Sequence, residues 1–389
     1  MSSDRLSVTR FYLYPFLYDL ILAYPIYTIL FQSRGLDLMQ ISLLLMWWNI
    51  SAMFLELPTG ALADHWSRRK MLVAAPLIKM FCFITWYLAD GSFALFALGF
   101  TFWSLGSSFV SGTLEAMLYD ALAAHQRTGE YEKVRGRQRI FHHLAFGAAS
   151  IAGGTIAYFH IDWNLLLSLP PLVGASIVAL TMAEPPRLKH AADAHYLVHF
   201  KNAWHELRTN RTFRYILAYQ MLAIGVLNEI DEYDPLYYTL VGVPLYALGW
   251  LNMTRALAES IGNLLAHRLK HLAVLEKVAP LAIGLLLLLV GLFPCKAMVA
   301  LIILGYLILS PVHVIIEGRF QNSIQTASRA TVLSGAGLLN TVSGIVLIAA
   351  FGAVARRWGL GAGYVFFGLI LVSFSLCIAF RRPNGTKQP

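Results

Sequence analysis

Charge is scarce in this chain. Only 13% of its 389 residues are Asp, Glu, Lys or Arg, against about 25% in soluble domains. Cysteine is scarcer still. Cys82, Cys295 and Cys377 lie far apart, which leaves no disulfide framework and no C-x-x-C metal spacing. Long polar stretches are missing too, apart from Glu184 to Arg211. No segment has the form of a nucleophile elbow G-x-S-x-G, a zinc-binding H-E-x-x-H or a phosphate loop G-x-x-x-x-G-K-[ST]. These absences argue against a soluble fold, against an enzyme and against ATP-driven chemistry within the chain. No cofactor and no metal site is expected.

What remains is hydrophobic sequence, 58% of all residues. A membrane-crossing helix needs about 20 mostly apolar residues. Twelve such spans are expected, at 9–31, 39–63, 71–90, 92–120, 139–160, 163–183, 213–240, 245–267, 273–293, 297–318, 330–356 and 360–380. The first is too long, and lacks the small-residue cleavage site, to be a signal peptide; it reads as helix 1. The polar segment after span 6 divides the chain into a six-helix bundle over 1–183, a central loop over 184–212 and a second bundle over 213–389.

The formal net charge of +9 could suggest a nucleic-acid partner, but its distribution argues against one. With the N-terminus inside, the inner segments hold 24 Lys and Arg and the outer ones 4. That asymmetry places both termini in the cytoplasm. The partner is the lipid bilayer, with no nucleic acid. The halves also echo each other faintly. Gly262 to Arg268 repeats the pattern of Gly60 to Trp66 at an offset of 202 residues, and Trp48 and Trp250 keep the same offset.

Ionisable residues inside spans cost a few kcal/mol on insertion scales and so mark sites by default. Asp19 lies about 15 Å into span 1 by helical rise, with Tyr12, Tyr14, Tyr18, Tyr24 and Tyr27 nearby in sequence. Arg255 and Glu259 in span 8 are four apart and can pair. Span 7 carries Glu229, Asp231, Glu232 and Asp234, too many acids to face lipid together. Glu229 and Glu232 share one helix face, and Glu229 is a candidate for proton coupling or cation attraction. Asp234, before Pro235, reads as the wet outer mouth of that helix. Lys79 in span 3 can either snorkel or pair. His313 and Glu317 read as a plain polar pair.

The stretch from Glu56 to Lys70 reads as a charged, tight turn between spans 2 and 3. Its Gly60, Leu62, Ala63, Asp64, Arg68, Arg69 and Leu72 follow the pattern G-x-L-A-D-R-x-G-R-K-x-x-L. His65 replaces a basic residue and Ser67 a glycine. The pattern resembles the signature loop of the major facilitator superfamily (MFS) of secondary transporters. The resemblance implies an all-α fold with twelve transmembrane helices in two bundles around a midplane cavity. It also implies a gate on the cytoplasmic side, where loop residues such as Asp64 and Arg68 bind an acid of span 4 and the start of helix 11. Glu56, Gly60, Asp64, Arg68, Arg69, Glu115 and Asp120 are the candidates for that gate. In span 5, Ala149 to Gly154 is similar to a worn antiporter motif that keeps Gly153 and Gly154. Ser111 to Asp120 and Arg329 to Ser334 resemble stretches of a bacterial efflux-type branch.

The resulting expectation is a monomer in the inner (plasma) membrane that moves a small-molecule substrate by alternating access. Proton-coupled export by antiport is expected, with the proton gradient as second partner. Proton-linked import and a non-transporting receptor or lipid-handling role are the alternatives. Asp19, Glu229, Asp231, Glu232, Arg255 and Glu259 are the candidates for substrate binding and coupling.

Overall fold

The computed structural model describes residues 8–185, 208–323 and 329–379. Within them the chain is helical and falls into two compact units. One comprises residues 1–192 with 244–253, the other 193–243 with 254–389.

The first unit is built from α1 (Val8–Asp19), α2 (Tyr27–Ser33), α3 (Leu38–His65), α4 (Arg68–Tyr87), α5 (Phe93–Val110), α6 (Thr113–Ala124), α7 (Tyr131–Phe159), α8 (Trp163–Leu167) and α9 (Leu169–Thr181). Helix α4 packs on α5 and α9, while α1 packs on α7 and α9. Its core is aromatic. Trp86, Phe96 and Phe100 are at most 1% exposed, and the Trp86 indole donates to the Phe96 carbonyl at 3.0 Å. Rings of this size bury much apolar surface in fixed geometry. At one end of the unit Arg34 reaches Asp162 at 2.7 Å and Asp90 at 3.6 Å, tying three loops together.

The tight turn expected between spans 2 and 3 is shorter still than the span bounds 39–63 and 71–90 allowed. Helix α3 runs on through Gly60 to His65, and only Trp66 and Ser67 lie between it and α4. Ser67 is the N-cap of α4, accepting from the Lys70 N–H at 3.2 Å. A serine suits that position because its side chain satisfies a helix-end donor that glycine would leave open. Its replacement of the pattern's glycine is therefore a helix start rather than a loss. Gly60 faces open space, with nothing within 4 Å of an added Cβ.

Nine helices among the described residues are long and apolar enough to cross a membrane. Of the twelve expected spans, three fall outside this group. Span 1 is interrupted between Asp19 and Tyr27, where Pro25 removes a donor and restrains the residue before it. Span 7 is interrupted twice. Span 8 is continuous, but Arg255, Glu259 and their polar neighbours lower its hydropathy.

The second unit contains α10 (Arg211–Tyr219), a π-helical turn (Gln220–Ile224), α11 (Gly225–Ile230), α12 (Asp234–Leu240), most of α13 (Leu245–Leu269), α14 (Ala273–Leu292), α15 (Met298–Ser323), α16 (Arg329–Trp358) and α17 (Leu360–Ala379). Helices α14 and α17 meet backbone to backbone. A Cβ on Gly284 would lie 2.9 Å from the Gly368 carbonyl, and one on Gly291 2.3 Å from that of Gly361. In lipid, where apolar burial drives no association between helices, such close approach supplies the packing. Arg356 and Arg357 close the last turn of α16, where cations oppose the helix dipole favourably; Gly359, with φ +89°, turns the chain into α17.

The repeat seen in the sequence does not carry over to environment. Gly60 is open, whereas a Cβ on Gly262 would meet the Leu307 carbonyl at 2.8 Å. Trp48 stacks on Phe100 at 5.6 Å, whereas Trp250 is exposed.

Candidate functional site

The break in span 1 organises the first unit's polar interior. Residues Leu20 to Ile26 lose the helical ladder, and their backbone groups need partners elsewhere. The Leu22 N–H donates to the Ser168 hydroxyl at 3.0 Å, and Ile21 N–H bonds back to the Asp19 carbonyl at 2.9 Å. Gly153 on α7 makes room for the break: its Cβ would sit 2.2 Å from the Leu22 carbonyl. Gly154 beside it does the same for α13, whose Leu245 carbonyl lies 2.7 Å from that Cβ position. The glycine pair noted in span 5 is thus a seat for two neighbouring backbones. Gly153→Val should lower the melting temperature by several degrees, since overpacking costs roughly 1–3 kcal/mol or more. Gly60→Val should leave it unchanged. Equal melting temperatures for Gly153→Val and wild type would contradict the seat.

Asp19 ends α1 at this break. Its Oδ2 lies 2.8 Å from His142 Nδ1 on α7. The aspartate side chain is 15% exposed and the histidine 47%. The pair joins a nearly dry carboxylate to a partly wet imidazole. The histidine was not anticipated. Its signal was present all the same: Arg135, Gln138, Arg139 and His142 follow i, i+3, i+4, i+7 spacing along α7, a polar stripe on one helix face.

Lys79 neither snorkels nor forms an ion pair among the described residues. It is 1% exposed. Its Nζ lies 4.2 Å from the Tyr18 ring centroid, 4.7 Å from that of Trp103 and 5.6 Å from that of Tyr24. It donates to the Tyr24 hydroxyl at 3.3 Å. An ammonium out of water is costly, and cation–π contacts with three rings offset part of that cost. Two of the tyrosines near Asp19 in sequence, Tyr18 and Tyr24, thus contact this lysine.

The gate candidates divide into separate contacts. Arg68, in the first turn of α4, forms a salt bridge with Asp120 on α6; the aspartate side chain is fully buried and the arginine 12% exposed. Glu115 pairs with Arg135 at 2.6 Å. The Arg68 N–H donates to Glu184 at 2.9 Å, and the Ser67 hydroxyl also bonds that carboxylate. Glu56 and Arg69 are exposed. The Asp64 side chain lies outside the described residues, as do those at the start of α16, Arg329 to Thr331.

In the second unit Arg255 pairs with Glu259 at 3.4 Å, as the spacing predicts, and also with Asp231. Its guanidinium lies 4.8 Å from the Tyr306 ring centroid. Tyr306 donates to Asp234 Oδ2 at 2.8 Å, and Tyr364 to Asp234 Oδ1 at 2.7 Å. Asp234 is 2% exposed, so it is not the wet mouth expected from sequence. It is a buried carboxylate satisfied on both oxygens, the condition under which such burial is tolerated. Glu229 lies against Gly344 of α16, with its Oε1 where a side chain at 344 would have to go. Glu232 is half-buried.

A second pair escaped the sequence reading. Glu276, in the first turn of α14, is 5% exposed and accepts from Arg319 of α15 at 2.5 Å. It occupies the place in its unit that Arg68 holds in the other, with the charges exchanged. His313 and Glu317 are exposed and form no ion pair with each other. No cluster of three or more metal-ligating side chains occurs among the described residues.

Solved structures of similar fold cover nearly all of the chain. A point mutant of the nucleoside transporter NupG superposes with a TM-score of 0.77 at 14% identity, covering 96% of this chain and 98% of that one. The POT family transporter PepTSo gives 0.69 at 12% identity, covering 97% of each. A bacterial homologue of the human lysosomal transporter Spinster, inward-facing and unoccupied, gives 0.67 at 15%, covering 96% and 94%. At these identities the likeness concerns the fold. No curated protein sequence matches the chain. The family model described as Major Facilitator Superfamily matches residues 15–348. With that match, and with helices enough for a multi-pass membrane protein, the chain belongs to the Major Facilitator Superfamily of transporters.

Proposed function

We propose that this protein is a secondary active transporter that exports a small polar solute in exchange for protons. The observation that carries the reading is the Asp19–His142 pair at the break in span 1. Histidine titrates near physiological pH, and an acid held within a span is by default functional. Two titratable groups 2.8 Å apart, one nearly dry and one partly wet, can take up and release a proton as water access changes. Export is supported by the Gly153-Gly154 remnant and by the efflux-type stretches. The neighbours named as nucleoside and POT family transporters support a small solute as cargo. In this reading the protein is a monomer of the inner (plasma) membrane. Bundles 1–183 and 213–389 flank the loop 184–212, and both termini face the cytoplasm. Arg255 with Asp231 and Glu259 is the corresponding polar network of the second half, and Glu229 and Glu232 complete its set of acids.

Asp19→Asn tests the coupling. In proteoliposomes the variant should still exchange solute across the membrane at a rate within about threefold of wild type. It should lose at least tenfold, or roughly 1.4 kcal/mol, of the concentration ratio held by a pH step. Undiminished accumulation by the variant would remove Asp19 from the coupling.

A further inference from the structure

A cavity of about 320 Å³ opens beside the span 1 break, between α1, the α5–α6 junction and α7. Its charged lining is Asp19, Glu115, Arg135, Arg139 and His142. Four of these groups meet in pairs: Asp19 with His142, and Glu115 with Arg135. Arg139 has no carboxylate within ion-pair distance among the described residues. With His142 neutral and Asp19 ionised the charges of the lining balance, and with His142 protonated the cavity gains one net positive charge; in both states Arg139 is a cation that no carboxylate engages among the described residues.

A second observation is independent of charge. Tyr18 lines the cavity and is 6% exposed, and its buried hydroxyl has Ser107, also of the lining, beside it. Each hydroxyl is both donor and acceptor, so the two keep hydrogen-bonding capacity that a ligand's polar group can take up. Tyr14 adds a second ring to the wall. Its own hydroxyl is already used, donating to the Leu72 carbonyl at 2.9 Å.

We propose that this cavity is the binding site for a small organic carboxylate, with Arg139 holding the carboxylate and the Tyr18 hydroxyl bonding a second polar group. The arginine fork matches a carboxylate's two oxygens, and the volume is at the small end of ligand pockets. The inference rests on the transporter reading for its purpose, but binding can be measured apart from flux.

The test uses the purified full chain in detergent and thermal unfolding with matched carboxylates and amides: acetate and acetamide, benzoate and benzamide, nicotinate and nicotinamide. At least one carboxylate should raise the melting temperature by about 2 °C or more beyond its amide. The difference should vanish in Arg139→Gln and persist in Arg139→Lys. Arg137→Gln, a neighbouring exposed arginine outside the cavity, should keep it. If no carboxylate outperforms its amide, or if the difference survives in Arg139→Gln, the site assignment is overturned. An arginine that merely anchors its helix at an anionic membrane surface would give that result. Carboxylate binding without flux in proteoliposomes would support the site and remove the transporter reading. Flux of other solutes without carboxylate binding would do the reverse.

Discussion

Arg68→Ala should abolish transport and lower the melting temperature, and Asp120→Asn should do less harm to stability than Arg68→Ala does. The difference follows from burial. Asp120 is 1% exposed, and its Oδ1 already lacks a hydrogen-bond partner among the described residues. Removing the arginine strands a carboxylate out of water, which costs about 3–5 kcal/mol when one member of a buried pair is lost. Asparagine in place of Asp120 leaves only a neutral amide beside a guanidinium that is itself 12% exposed and can find water. The double variant Arg68→Met with Asp120→Leu should recover much of the stability, because well-packed apolar groups replace buried pairs at little cost. It should not recover transport if the pair works as a gate that must open and close. Thermal unfolding with flux measured on the same preparations checks both parts. Wild-type flux in Arg68→Ala would remove the gate, and wild-type stability would remove the buried pair.

Lys79→Met should give the second large effect, and of the opposite kind. Methionine fills the lysine's volume and keeps contact with the rings of Tyr18, Tyr24 and Trp103, while the buried ammonium disappears. Relief from burying an ammonium with no carboxylate partner should leave the protein at least as stable as wild type. Transport should fall by tenfold or more, since an intramembrane cation retained at such cost is there for function. Lys79→Arg should fail as well, because a planar fork does not fit a cage built around a compact ammonium. Its backbone also has little room to shift: a Cβ on Gly106 of α5 would lie 2.8 Å from the Ala75 carbonyl and 3.2 Å from the Lys79 Cβ. A Lys79→Met protein that transports normally would make the cage a packing feature only.

The parts of the fold that follow from apolar length were legible. Most spans with a continuous hydrophobic run appear as continuous helices, because in lipid the backbone has few other ways to satisfy its hydrogen bonds; spans 4 and 6 each carry a short turn, at Ser111-Gly112 and at Ser168. The interruption of span 7 at 231–233 is marked in the sequence by Pro235, which sits in the first turn of α12 where its missing N–H costs nothing. The break after Asp19 was not, since what stabilises it is Ser168 and Gly153, each more than a hundred residues away. The same reason hid His142 as Asp19's partner and the aromatic cage around Lys79: sequence shows a misplaced charge but not the side chains that meet it. Arg255 shows the limit from the other side. Its pair with Glu259 is local, four residues along one helix, and was predictable; its contact with Asp231 crosses between elements and was not. Asp234 was misjudged because its two tyrosine donors come from α15 and α17.

Proton-driven solute movement is the central claim, and wild-type protein in oriented proteoliposomes tests it most directly. The vesicles are loaded with a mixture of small metabolites that includes carboxylates, an inward or outward pH step of one unit is imposed, and the solutes crossing the membrane are identified by mass spectrometry. At least one solute should move against its own gradient, in the direction opposite to proton flow, and a protonophore should stop it. If no solute moves with the pH step, or if a sodium gradient alone drives the same movement, proton-coupled export is contradicted.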